Sequence, residues 1–171
     1  MSLLTDEDKK AIEGHFELLE KDVNIYLKKD KEECETEAIL NELSELSSKL
    51  KLHISNAEED EMSPALSIGD SGRVLFKGTP SGYEFSTLLT SIIDSGRNEP
   101  QLSDETKNFL DTLEEPLDIK VFVTPTCPHC PPSAVMAHRM AAYSSKVNAD
   151  VIEANEFMKI SQQYRVILIK K

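Results

Sequence analysis

The feature that most constrains this chain is a repeat. Leu4-Thr5-Asp6-Glu7-Asp8-Lys9 returns as Leu102-Ser103-Asp104-Glu105-Thr106-Lys107, an offset of 98. Asp22-Val23-Asn24-Ile25 returns as Asp118-Ile119-Lys120-Val121 at 96, and Ser47-Ser48-Lys49-Leu50 as Ser144-Ser145-Lys146-Val147 at 97. Short matches in constant order and at nearly constant spacing point to duplication, so the chain reads as two modules, 1–97 and 98–171. Each opens on a Thr or Ser followed by acidic residues, the pattern of a helix N-cap. Pro100, in the stretch Asn98 to Leu102, marks the boundary.

Hydrophobic periodicity fills in the modules. In the first, a helix is expected over 5–20, with Ile12, Phe16 and Leu19 on one face, then a strand at Val23–Leu27. A second helix runs from about Lys31 to Lys49, followed by a strand at Leu50–Ser55. Leu66–Ile68 and Val74–Lys77, separated by Gly69-Asp70-Ser71-Gly72, form a hairpin, and a last helix from Phe85 stops near Gly96. The second module restarts with helix 104–114, strand Ile119–Thr124, a helix through Ser145, a strand at Ala149–Ala154 and a short helix to Tyr164. A second module of the first one's length would reach about residue 194. A chain of 171 residues is therefore expected to lack the terminal hairpin and helix.

Between the strand at Ile119 and the long helix lies Cys127-Pro128-His129-Cys130. Unpaired first-turn N–H groups and the positive end of a helix dipole favour an anion, and a nucleophilic thiolate is one. Cysteines three apart at a helix start are close enough to pair. Cys127 can attack a disulfide and Cys130 resolve the mixed disulfide. His129 is expected to stabilise the Cys127 thiolate, and Pro128, Pro131 and Pro132 are tolerated where nitrogens lack intrahelical acceptors. The rival reading is half a zinc site completed by His138, His15, His53 or Cys34, none of which stands at a usual ligand spacing. His138 is expected to lie exposed on its helix.

Composition narrows the function further. A formal charge of −12 argues against a nucleic-acid partner, which would call for clustered Lys and Arg, and reads as a solubility feature. No stretch approaches the ~20 apolar residues of a membrane span, and the opening residues lack the regions of a secretory signal, so no membrane partner and a cytoplasmic address are expected. In a reducing compartment a close cysteine pair is expected to be catalytic or metal-binding rather than a staple. Neither cofactor nor metal is called for.

Strand, Cys-x-x-Cys, helix and a preceding twin together resemble the tandem thioredoxin-fold proteins. The segment Val121 to Pro131 is similar to the second active site of the glutaredoxin-like protein disulfide oxidoreductases. Gly78-Thr79-Pro80-Ser81-Gly82-Tyr83-Glu84-Phe85 resembles a turn shared with the N-terminal domain of the alkyl hydroperoxide reductase flavoprotein subunit. The resemblance implies an α/β fold of two tandem thioredoxin-like modules, mixed β-sheets flanked by helices, the second incomplete at its C-terminus. It makes Cys127 the attacking thiol, Cys130 the resolving thiol and Pro64 the cis-proline of the first module. Glu153 resembles an often acidic position that could relay protons, though an exposed strand-end carboxylate is the expected reading. The implied activity is dithiol–disulfide exchange with protein substrates. Alternatives are electron relay between a thioredoxin-reductase-like flavoprotein and a peroxiredoxin, or redox-inactive protein binding.

Two departures qualify that resemblance. Counting back from the shared Ser-Ser-Lys sets Asp30-Lys31-Glu32-Glu33 where the second module has its cysteine pair, so the first module reads as redox-silent, a scaffold or docking surface, with Cys34 an incidental thiol. The last proline is Pro132, so the second module lacks a cis-proline. Lys170 takes its position if Tyr164-Arg165-Val166 aligns without a gap; with a gap, Ile167-Leu168-Ile169 is the next strand.

Overall fold

The computed structural model describes residues 3–30 and 34–166. Its elements are α1 (Asp6–Phe16), β1 (Val23–Lys29), α2 (Glu35–Glu45), β2 (Leu50–Asn56), β3 (Ala65–Ile68), β4 (Val74–Lys77) and α3 (Glu84–Gly96), then α4 (Asp104–Asp111), β5 (Leu117–Val123), α5 (Cys130–Tyr143), β6 (Val147–Glu153) and α6 (Met158–Gln163). Both expected module-opening caps form. The Thr5 hydroxyl accepts from the Asp8 N–H at 3.1 Å while the Asp8 carboxylate accepts from the Thr5 N–H at 3.0 Å. Ser103 accepts from the Thr106 N–H at 3.2 Å.

Where the repeat suggests two sheets, the described residues form one, of six strands in the order β2-β1-β3-β4-β6-β5. The first half leaves β4 as an open edge and the second leaves β6. These edges pair in parallel, Val74 opposite Ala149 through Lys77 opposite Ile152. Joining them satisfies main-chain groups that each half alone would leave unpaired. Leu66, Phe76, Leu88 and Ile92 of the first half and Val123, Ala137, Val147 and Val151 of the second belong to a single buried cluster.

The two halves share a pattern of hydrogen bonds at the ends of their parallel strand pairs. The Val23 N–H donates to the Lys49 carbonyl at 2.8 Å and the Leu117 N–H to the Lys146 carbonyl at 2.7 Å. At the other end of each pair, Ala57 donates to the Lys29 carbonyl and Ala154 to the Val123 carbonyl, both at 2.9 Å. Val23 therefore corresponds to Leu117, not to Ile119 as the sequence match has it. A slip of two keeps every side chain on its own face, so alternation alone does not expose it. The second connection is the longer one because α5 has 14 residues and α2 has 11.

β1 lies between β2 and β3, and its Val23, Ile25 and Leu27 are buried. Its counterpart β5 is the outermost strand among the described residues, with Ile119 and Val121 only half-buried. No helix among the described residues is long and apolar enough to cross a membrane.

Candidate active site

β5 ends on Val123, fully buried, which fixes where the following loop leaves the sheet. Thr124-Pro125-Thr126 leads to Cys127, whose N–H donates to the Thr124 carbonyl at 3.1 Å; the Cys130 N–H turns back to the Cys127 carbonyl at 3.4 Å. His129 is the N-cap residue of α5 and Pro131 sits in its first turn, where a missing N–H costs no helical bond. Cys127 and Cys130 form a disulfide with Cα atoms 5.5 Å apart. Both cysteines are half-buried, whereas Pro128 and His129 between them are exposed. The open side of the motif is the one that carries Pro128 and His129.

The other wall comes from the first half. The Tyr83 N–H donates to the Pro125 carbonyl at 3.0 Å, and the Thr79 N–H to Oε1 of Glu156 at 2.6 Å. Gly78 donates to the carbonyl of Pro64, which follows a cis peptide bond, as the resemblance implies.

Residues 117–169 match the thioredoxin domain family. The chain is 25% identical to the F subunit of the Staphylococcus epidermidis alkyl hydroperoxide reductase over 171 residues, 96% of this chain and 33% of that protein. The corresponding Staphylococcus aureus protein is 23% identical over 170 residues, with the same coverage. The chain thus spans about a third of the length of these curated relatives. Among solved structures, a protein disulfide oxidoreductase from Aeropyrum pernix superposes with a TM-score of 0.87 at 24% identity, covering 96% of this chain and 81% of that one. The F subunit of the Enterococcus faecalis alkyl hydroperoxide reductase gives 0.85 at 21% identity, covering 97% and 87%. The chain has the thioredoxin fold.

Within that thioredoxin fold two polar residues differ from expectation. His138 is not exposed: it is 2% accessible, on the face of α5 that also buries Ala134, Ala137 and Ala141. The spacing of those alanines already put His138 on the inward stripe. Its Nε2–H donates to the Leu75 carbonyl at 2.9 Å, so Nδ1 accepts from the Ser91 hydroxyl at 2.7 Å. Both nitrogens are engaged, which removes His138 from any metal set. Burial lowers its pKa from 6.5 to about 4. An unfolded chain binds this proton near pH 6.5 and the folded one only near pH 4, so the stabilisation is complete above 6.5 and lost as pH falls through that window. We expect about 3 kcal/mol of acid-dependent destabilisation from this residue. Urea unfolding of the wild type and His138→Gln at pH 7.5 and 4.5 checks it; equal pH dependence in the two proteins refutes it.

Glu153 is likewise buried rather than exposed. Its carboxylate accepts from the Asn155 side chain at 2.9 Å and from the Glu156 N–H at 2.6 Å, because β6 ends in a turn folded back under the first half. Glu84 was not singled out from the sequence, where it is one residue of the turn ahead of the helix that starts at Phe85. It is fully buried beside the Tyr83 contact, one oxygen accepting from the Thr87 hydroxyl at 2.7 Å and the other unpaired among the described residues. Burial pushes its carboxyl above the usual range.

The remaining candidates lie apart from the cysteines. Cys34 is a half-buried free thiol at the N-cap of α2, His53 stacks on Tyr26 at 4.8 Å, and His15 is exposed on α1. Lys31, Glu32 and Glu33, most of the segment matched to the cysteine motif, lie outside the described residues, as do Ile167–Ile169 and Lys170.

Proposed function

We propose that this protein exchanges disulfides through Cys127 and Cys130. The observation that carries the reading is the cysteine pair at the start of α5, disulfide-bonded within the motif with exposed Pro128 and His129 between its members. In the reducing direction the Cys127 thiolate attacks a substrate disulfide, forming a mixed disulfide and releasing one substrate thiolate, which takes up a proton. The Cys130 thiolate then attacks the Cys127 sulfur, releases the second substrate thiolate and closes the Cys127–Cys130 bond. The substrate gains two electrons. An external dithiol restores the protein.

The roles follow from position: in this reading the first-turn amides of α5 favour the Cys127 thiolate, His129 is the residue assigned to stabilise it further, and Pro128 shapes the turn between the cysteines. A Cys127 pKa below the ~8.5 of free cysteine is the corollary. Similarity to the alkyl hydroperoxide reductase relatives favours a second reading of the same chemistry, electron relay from a thioredoxin-reductase-like flavoprotein to a peroxiredoxin. Such thiol traffic suits the cytoplasm. The division into modules 1–97 and 98–171, with the active pair in the second, belongs to this proposal. Insulin reduction by dithiothreitol tests it: the wild type should accelerate the reaction and Cys127→Ser should leave it at the uncatalysed rate. Equal acceleration by both, or by neither, rejects exchange in favour of a binding module.

A further inference from the structure

Resting on the disulfide-exchange reading, we propose that the first half, which lacks the Cys-x-x-Cys pair, sets the position, and through it the reactivity, of Cys127 by means of the Gly78–Tyr83 turn. This turn reaches across the join between the halves and holds the loop that delivers Cys127. Its nearer clasp is the Tyr83 N–H on the Pro125 carbonyl, two residues before Cys127. The farther clasp is the Thr79 N–H on Glu156, which follows the strand partner of β5.

Both ends of the turn are glycine for reasons that concern the second half. A Cβ on Gly78 would lie 2.7 Å from Cβ of Glu153. A Cβ on Gly82 would overlap the Pro125 carbonyl oxygen, and Gly82 adopts φ +59°, where side chains are strained. The turn therefore approaches the cysteine loop backbone to backbone. Gly82 and Glu156 are positioning residues; neither touches sulfur. Moving Pro125 shifts Cys127 relative to the first-turn amides of α5, which weakens thiolate stabilisation and favours the disulfide form.

A matched glycine separates this effect from backbone strain. Gly72 has φ +67° and nothing within 4 Å of its would-be Cβ. Gly72→Ala therefore carries the left-handed strain without the contact. Gly82→Ala and Gly72→Ala are compared by equilibration of Cys127/Cys130 with glutathione and by the rate of Cys127 alkylation at pH 7. We expect Gly82→Ala to shift the equilibrium about tenfold towards the disulfide, some 30 mV, and to slow alkylation about fivefold, with Gly72→Ala unchanged. A folded Gly82→Ala protein within twofold of Gly72→Ala on both readouts overturns the proposal. If Gly82→Ala does not fold, Glu156→Ala decides on the same readouts, with Glu156→Gln, which keeps the acceptor, restoring wild-type values; equal behaviour of those two overturns it. Failure of the exchange reading is distinct, since it appears as wild-type protein no better than Cys127→Ser with insulin.

Discussion

Cys130→Ser is expected to attack a substrate disulfide and then fail to release it. Cys127 keeps its place ahead of α5, so the first displacement proceeds, but the only thiol within 5.5 Å Cα–Cα reach of the mixed disulfide has gone. Cys34 sits at the start of α2 in the other half and offers no substitute. Insulin turnover should fall to the uncatalysed rate while a covalent adduct accumulates, visible by non-reducing electrophoresis and reversed by dithiothreitol. Cys127→Ser should form no such adduct. Wild-type turnover by Cys130→Ser, or adducts through Cys130 rather than Cys127, would reverse the assignment of attacking and resolving thiols.

Expressed alone, residues 98–171 are expected not to fold. Removing the first half strips β6 of β4 and exposes the backbone of Ala149 to Ile152 as an edge. Ala149 loses its bond to the Arg73 carbonyl, His138 loses both Ser91 and Leu75, and Arg139 loses Asp94 at 2.6 Å. The apolar surface that the first half covers is laid open to water, and the roughly 70-residue remnant has too little core to absorb that loss. Circular dichroism should show an unfolded chain with no cooperative melt. A fragment that melts cooperatively would show that the second module is self-sufficient.

What the sequence makes legible here is local. Thr5 and Ser103 announce their helices because a capping side chain needs only residues three positions on, and Cys127 to Cys130 declare a reactive turn because strand, prolines and helix adjoin them. Non-local decisions are harder to read. Val74–Lys77 looks the same whether its open side meets water or Val147–Glu153, since parallel pairing across the chain leaves no mark on alternation. His138 and Glu153 are polar by type and buried by circumstance, the one because Ser91 and Leu75 face it, the other because a turn from the first half closes over it. Glu84 is the same case, with a partner among the described residues for one oxygen.

The shared sheet also changes what a genetic screen on this protein would return. Selection for lost disulfide exchange should yield lesions in both halves, and those in the first would fall at Phe76, Gly82 or Ser91, residues with no redox chemistry of their own. Read without the seam between β4 and β6, such a map would suggest a second active centre; read with it, the map traces the footing of the first.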